Sequence, residues 1–160
     1  MIITFVNIRA VRPIAENVDD AKRLEPYIDE CTNLYLIPAI GAAKFKEIED
    51  DMSQFKLLLD GGYYDEDKKH FAGLNQAMGY LVYSRIVRNN QVNTTAFGVV
   101  FKQGQYSEQA DEKTIIRISN DAEKIGMKYL QECVDYLKFS ADKSCVKNTF
   151  KSKRIKAIGD

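Results

Sequence analysis

A long polar insertion, residues 89–111, separates the two strongest helical patterns in the sequence and constrains the fold more than any other segment. Its sequence, NNQVNTTAFGVVFKQGQYSEQAD, places β-branched and aromatic residues between turn-forming Asn, Gly and Ser, which predicts a β-hairpin or an extended arm. Apolar residues recur at helical spacing over residues 67–88 before it and over residues 112–141 after it. We expect these two helices to form an antiparallel pair that holds the insertion out at one end.

Shorter helical patterns precede this pair. Apolar residues between 24 and 35 recur at three- and four-residue intervals, with Pro26 suited to the first turn of the helix. Pro38 is expected to end this helix, and Gly41 to supply a corner before two further helical segments at 42–51 and 52–59. The predicted fold class is therefore mainly α: an antiparallel helical bundle with the long insertion between its two longest helices and short strands at its termini.

The two termini carry the strand predictions. Residues 1–6 form a short β-branched and aromatic run that needs a partner strand, and residues 7–18 are expected to be extended because Pro13 restricts Arg12. Residues 154–158 alternate polar and apolar, as in a strand with one buried face, and can pair with 1–6 of the same or a neighbouring chain. Residues 143–160 hold six basic side chains and one acidic side chain, Asp160. We divide the chain into a helical domain, 1–142, and a basic C-terminal arm, 143–160.

Composition excludes several classes of protein. The 160 residues suit one domain, and 23 basic against 23 acidic residues leave no overall charge to hold nucleic acid. No apolar run reaches the roughly 18 residues that cross a bilayer, and residues 1–5 lack the features of a signal peptide, so we expect no membrane association. Three widely spaced cysteines favour a reduced, cytosolic setting, with Cys31 and Cys133 as small buried apolar residues.

The residues that carry chemistry do not assemble into a recognisable site. His70 is the only histidine, is placed at a predicted helix start, and has no nucleophile motif beside it. The acidic groups at 47–51 and 65–67 lack the pattern of a calcium loop, and Gly98 and Gly104 lack the context of a phosphate loop. We therefore expect no catalytic residue, no metal ligand and no cofactor. The basic arm could neutralise several phosphates of a nucleic acid, or instead be solvated or pair with an acidic surface on a neighbour.

Several segments together resemble a known family. They are IAENVDDAKRLEPYIDECTNLYLIPAIG near the start, LNQAMGYLVYSRIVRNN in the centre, TTAFGVVFKQGQYSEQAD in the insertion, and the closing helix through residues 129–139. In this order they resemble the head-tail connector, or adaptor, ring proteins of tailed bacteriophages, particularly the type found in crAss-like phages and Bacteroides prophages. The basic C-terminal tail is longer than in compact connectors.

The resemblance implies a structural virion protein, not an enzyme, that is assembled in the host cytoplasm and located in the virion neck. Copies would form a ring, commonly twelvefold, below the portal protein and above the next neck or tail ring. Genomic DNA would pass through its channel without sequence-specific binding during ejection. A small helical DNA-binding or regulatory protein that uses the basic tail is the alternative.

Ring closure requires that one patch of each copy meets a different patch of the next, and strand addition is one way to do this. We therefore predict that the insertion and the tail are assembly arms. The predicted interface residues are Thr94, Phe97, Val99, Val100, Phe101, Tyr106, Lys151, Lys153, Arg154, Ile155, Lys156 and Ile158.

Overall fold

A computed structural model of the chain describes residues 5–11, 24–66, 68–89, 92–95, 98–101 and 112–151. Most of these residues are helical, which confirms the predicted mainly α class. The helices are α1 Phe5–Val11, α2 Glu25–Cys31, α3 Ile37–Ile40, α4 Ala42–Asp50, α5 Lys56–Asp60, α6 Leu74–Asn89 and α7 Glu112–Lys151. The strands form two antiparallel hairpins, β1 Gly62–Tyr64 with β2 Lys69–Phe71, and β3 Val92–Thr95 with β4 Gly98–Phe101.

Helix α6 is the centre of the core. It is apolar on more than one side, as the sequence predicts, and its buried residues include Ala77, Met78, Leu81 and Val82. The core also takes side chains from most other elements: Leu24, Ile28, Cys31, Leu36, Ile48, Leu58, Leu59, Phe71, Leu74, Ile86, Leu130 and Cys133. Because this core draws on elements far apart in the sequence, the helices stabilise one another through buried apolar area more than through intrinsic propensity.

Helices α6 and α7 pack along each other in opposite directions. Near the end of α6, Ser84 accepts a hydrogen bond through its carbonyl oxygen from the Ser119 hydroxyl, at 3.1 Å. Midway, Gly126 allows close approach, since a Cβ atom there would lie 2.7 Å from Leu81 Cγ. Just before α6 begins, the Phe71 ring stacks on Tyr136 with centroids 4.5 Å apart. Residue numbers therefore rise along α7 as they fall along α6, so the two helices are antiparallel.

The prediction that the central helix begins at residue 67 is wrong. The helix starts at Leu74, because residues 69–71 pair with 62–64 and direct Phe71 into the core. Gly73, expected inside the helix, precedes it with a φ of 87°, and a Cβ there would lie 2.4 Å from the Gly61 nitrogen. Two backbone segments therefore touch at a point where only glycine fits, and this contact sets the start of α6.

Pro26 lies in the first turn of α2, as predicted, but Pro38 does not end the helical path. A π-helical turn, Thr32–Leu36, follows α2 and leads directly into α3, with Pro38 in the first turn of α3. Because the Ile37 N–H donates to the Thr32 carbonyl oxygen five residues earlier, the π turn changes the hydrogen-bond register just before the proline. The break comes at Gly41, whose φ is 85°.

Of the next two predicted segments, 42–51 matches α4 within a residue, whereas 52–59 is helical only from Lys56. Residues 52–55 form turns, and the Met52 side chain is 43% exposed. The Asp51 carboxylate explains the delay, because it accepts hydrogen bonds from the Ser53 hydroxyl and the Gln54 N–H. Such local hydrogen bonds compete with helix formation.

The N-terminal prediction is wrong where it can be compared. Residues 5 and 6 were expected in a strand and residues 7–11 in an extended segment, but all seven form α1. Helix α1 packs on α6 at Gly79, where a Cβ atom would lie 2.5 Å from Val11 Cγ2. Tertiary packing thus overrides the β propensity of this run. Residues 1–4 and 154–158, the remaining parts of the predicted terminal strand pair, lie outside the described residues.

The return helix is longer than predicted. It was expected to end near residue 141, but α7 continues to Lys151 and so crosses the boundary drawn between the domain and the arm. At 1.5 Å per residue its 40 residues span about 60 Å. The division into a domain and an arm at residue 142 remains a prediction, and α7 runs across that boundary.

Candidate assembly interface

The insertion contains the hairpin that the sequence predicts. Strands β3 and β4 pair in the register Val92 with Phe101, Asn93 with Val100, Thr94 with Val99 and Thr95 with Gly98. The structure therefore brings together four of the predicted interface residues, Thr94, Val99, Val100 and Phe101, within two short strands.

Among the described residues, β3 and β4 form a two-stranded sheet, so each strand is an edge strand there. Within the described part of the chain, neither strand makes more than isolated contacts with any element other than its partner strand. A two-stranded hairpin is marginally stable on its own and presents unpaired backbone N–H and C=O groups along both edges. Its geometry suits the addition of a further strand.

The register also shows which backbone groups face outward. Only two residues separate Thr95 from Gly98, so this closing pair exchanges both backbone hydrogen bonds. Hydrogen-bonded and non-hydrogen-bonded pairs alternate along an antiparallel ladder. The next pair, Thr94 and Val99, therefore directs its N–H groups to the two outer edges.

The remaining predicted interface residues are not brought to the hairpin by the described structure. Lys151 is the last residue of α7. Seven others lie outside the described residues: Phe97, Tyr106, Lys153, Arg154, Ile155, Lys156 and Ile158.

A polar cluster that the sequence did not reveal lies near the helix ends that carry the hairpin. The Tyr35 hydroxyl donates to Glu123 Oε1 at 2.7 Å and accepts from Arg85 Nη2 at 3.1 Å. Arg85 Nε lies 3.6 Å from Glu30 Oε1 and has no hydrogen-bond partner among the described residues. Burial, together with the hydrogen bond to Glu123, raises the pKa of Tyr35. The cluster ties α2 and its π turn to α6 and α7.

The other candidate side chains for catalysis or metal binding do not form a cluster. His70 lies in β2, not at a helix start, and its exposed ring meets the edge of Tyr63 with centroids 4.8 Å apart. The acidic residues of α4 are exposed, and Glu47 pairs with Lys44. No group of three or more His, Cys, Asp or Glu side chains in the described ranges is arranged to hold a metal ion.

Cys31 and Cys133 are fully buried, as predicted. Burial raises the pKa of each thiol from 9.0 to about 12, so both remain protonated at neutral pH. A buried thiol with a raised pKa is a poor nucleophile and behaves as a small apolar residue.

A cavity of about 390 Å³ lies beside α6, between α1 and the end of α5. Its walls are formed by Ala10, Val11, Asp60, Asn75, Gln76 and Tyr80. Asn75 Nδ2 donates to Asp60 Oδ1 at 3.0 Å, whereas Asn75 Oδ1 is shielded from solvent and has no hydrogen-bond partner among the described residues. No sequence pattern predicts this cavity, because its lining comes from three separate segments of the chain.

Comparison with family models gives one match, to a family of unknown function, DUF6712, over residues 36–151. The chain belongs to this family. The DUF6712 match includes the β3–β4 hairpin and all of α7. It leaves out α1, α2, most of the π turn and the last nine residues. Neither the curated proteins nor the solved structures give a significant match.

None of the helices in the described ranges is both long and apolar enough to cross a membrane.

Proposed function

We propose that this DUF6712 protein is a structural component of the neck of a tailed bacteriophage. Copies of the chain form a ring, twelvefold in the resembling connectors, that sits between the portal protein and the next neck or tail ring. The ring extends the channel through which genomic DNA leaves the head, and DNA passes without sequence-specific contacts.

The β3–β4 hairpin is the observation that carries this proposal. It lies between the two longest helices, and among the described residues no third strand pairs with it and no other element makes more than isolated contacts with it. A hairpin with such edges favours a partner that adds a strand or packs across it. The sequence segments that resemble connector proteins include the hairpin itself.

We also propose that the helices form an antiparallel bundle, which acts as a rigid support for the assembly arms. The contact between α6 and α7 supports this arrangement, because stacked rings, a glycine contact and a serine hydrogen bond occur at successive levels of the pair. A support held at several levels keeps the hairpin in one orientation, which ring closure requires.

Native mass spectrometry of the purified protein, alone and mixed with its cognate portal protein, tests the function. We expect a ring-sized complex that forms when the portal is present. A chain that stays monomeric and does not bind the portal would contradict the proposal.

Proline substitutions test the role of the hairpin edges more sharply. Thr94→Pro removes the outward N–H of β3 and Val99→Pro removes that of β4, while the hydrogen bonds between the two strands remain. We expect at least one of these variants to lose ring formation, and the matched controls Thr94→Ala and Val99→Ala to retain it. Ring assembly by both proline variants at the wild-type level would show that the hairpin edges are not the assembly site.

The alternative, a small DNA-binding protein, is favoured by one observation. Lys143, Lys147 and Lys151 are spaced four residues apart in the last part of α7, which places basic residues along one line of the helix. A mobility-shift assay with duplex DNA at two salt concentrations separates the two functions. Tight, strongly salt-dependent binding by a chain that ignores the portal would support the DNA-binding function instead.

A further inference from the structure

The cavity beside α6 has the chemistry of a site for a positively charged group. Asp60 supplies a carboxylate, held in place by the Asn75 amide, and the neighbouring Asn75 oxygen needs a donor that the described residues do not supply. Carboxylate and amide oxygens prefer ammonium or guanidinium groups, which carry only donors. Ala10 and Val11 provide an apolar wall for the methylene stem of a lysine or arginine side chain.

The size of the cavity indicates more than a single small ion. At about 390 Å³ it lies near the lower end of the range for ligand sites, about 300–1,000 Å³. This volume exceeds that of one lysine or arginine side chain, so the cavity has room for a short peptide segment that carries a basic residue.

The chain itself contains a segment of the matching charge. Residues 143–160 have six basic and one acidic side chain, a net charge of 6 − 1 = +5. Residues 1–142 have the other 17 basic and 22 acidic side chains, a net charge of 17 − 22 = −5. The two parts of the chain are therefore complementary in charge, which favours contact between them.

The basic residues of segment 152–160 cannot reach Asp60 of the same chain. Gly73, two residues before Asn75, makes a backbone hydrogen bond with Cys133 of α7, which places Asp60 and Asn75 near the level of Cys133. Lys151 is 18 residues further along α7 than Cys133, about 27 Å away along the helix axis. Even a fully extended chain advances only about 3.4 Å per residue, so Lys156 can return by about 17 Å at most.

We propose that the cavity receives the basic C-terminal segment, residues 152–160, of a neighbouring copy, with Asp60 accepting hydrogen bonds from one of its lysine or arginine side chains. This inference rests on the proposed function in one respect, that copies of the chain meet. It adds a second intersubunit contact, separate from the hairpin edges.

Binding of a synthetic peptide tests the chemistry of the site without requiring a ring. The peptide has the sequence of residues 151–160 and is titrated into the full-length protein at a concentration where the protein is monomeric. We expect Asp60→Asn to weaken binding by about tenfold, since it removes the charge but keeps the shape. Gln76→Trp, which fills the cavity from an exposed helix position, should weaken binding to a similar extent.

Glu49→Gln is the matched control, because it removes the same charge from an exposed site on α4. We expect less than about a twofold effect from this variant, since attraction to a distant surface charge is screened by salt. Equal binding to wild type, Asp60→Asn and Gln76→Trp, or equal binding of a scrambled peptide, would overturn the proposal.

Disulfide trapping tests whether the contact joins two copies. In a Cys145→Ser background, one protein carries Gln76→Cys and a second carries Ser152→Cys, so that Asp60 and the basic residues are kept, and the two are mixed under mild oxidation with the portal. We expect a covalent heterodimer in at least about fivefold excess over a control pair in which Glu49→Cys replaces Gln76→Cys. No excess in an assembled ring would overturn this inference and leave the proposed function standing. Specific trapping without any portal-bound ring would retain the inference and contradict the function.

Discussion

The two ends of the α6–α7 pair are held by different interactions. At one end, which we call the aromatic end, four rings pack together: those of Tyr64, Phe71, Tyr136 and Phe139. At the other, the polar end, four side chains form the network of hydrogen bonds and charges: Glu30, Tyr35, Arg85 and Glu123. The hairpin connects the two helices at the polar end, since α6 ends at Asn89 and α7 begins at Glu112.

In the proposed function, the aromatic end supplies stability and the polar end positions the hairpin. Aromatic packing contributes stability mainly through buried area, whereas a hydrogen-bonded network contributes less energy but fixes direction. An assembly arm needs a defined direction more than it needs a strong anchor. The molecule therefore has its strongest packing far from the hairpin and its most directional contacts close to it.

Removing one ring from the aromatic end should produce the largest loss of stability. Phe71 is fully buried and stacks on Tyr136, so we expect Phe71→Ala to lower the free energy of unfolding by about 3–5 kcal/mol. Tyr63→Ala is the control, because Tyr63 is 62% exposed in the paired strand and should cost less than about 1 kcal/mol. Urea unfolding of the three proteins measures both values, and similar losses for the two variants would refute a special role for the aromatic end.

Raising the pH tests whether the core is dry at both ends. Cys31 lies near the polar end and Cys133 near the aromatic end, and burial raises the pKa of each thiol to about 12. The unfolded chain loses these protons above about pH 9, so the stability due to each thiol is complete below pH 9 and falls as pH rises toward 12. The slope is about 1.4 kcal/mol per pH unit for each thiol.

Between pH 9 and about 10.5, each thiol should therefore cost about 2 kcal/mol in the free energy of unfolding. Cys31→Ala and Cys133→Ala should each remove half of the alkaline slope that the two thiols produce. A flat response in only one of these variants would show that water reaches the thiol at one end, and the comparison between the two ends would need to be redrawn. Equal changes in both would support burial as the dominant cause at each.

The elements that could be predicted from the sequence are those that depend on local signals. The periodic apolar residues of α6 and α7 predicted two long helices, and the turn residues between them predicted the β3–β4 hairpin. Both signals lie within a few residues of the structure they specify. The start of α6 was wrong because it depends on Gly61 and Gly73 touching across a hairpin, which no local pattern contains.

The same distinction explains the errors at α1 and at the sites. Val11 packs against Gly79, 68 residues later, and this contact decides between helix and strand for a run with β propensity. Tyr35, Arg85 and Glu123 are 50 and 38 residues apart, so the polar cluster has no sequence motif. Of the predicted interface residues, those that the structure brings together, Thr94, Val99, Val100 and Phe101, have a local hairpin signal.

The middle of the pair should tolerate less change than its exposed surface. A Cβ atom on Gly126 would lie 2.7 Å from Leu81 Cγ and 3.0 Å from the Ala77 carbonyl oxygen. Overpacking costs about 1–3 kcal/mol, and the better helix propensity of alanine returns about 1 kcal/mol, so Gly126→Ala should lose about 1 kcal/mol in stability. Met127→Ala, at a neighbouring exposed position, is the control and should change stability by less than about 0.5 kcal/mol. A gain in stability from Gly126→Ala would mean that the two helices can separate slightly without loss.

The polar end should show an effect of similar size that stays local. Tyr35→Phe removes the hydroxyl that donates to Glu123 and accepts from Arg85, and we expect it to cost about 1 kcal/mol, because both bonds are only partly buried and water can replace them. Glu123→Gln keeps an oxygen that can accept from Tyr35, so its cost should be smaller still. Amide hydrogen exchange distinguishes a local effect from a global one, because loss of direction at this end should increase exchange at the first turns of α7 and leave residues near Tyr136 unchanged. Uniform acceleration along α7 would instead mean that the polar cluster supports the whole pair, and that stability and direction are not divided between the two ends.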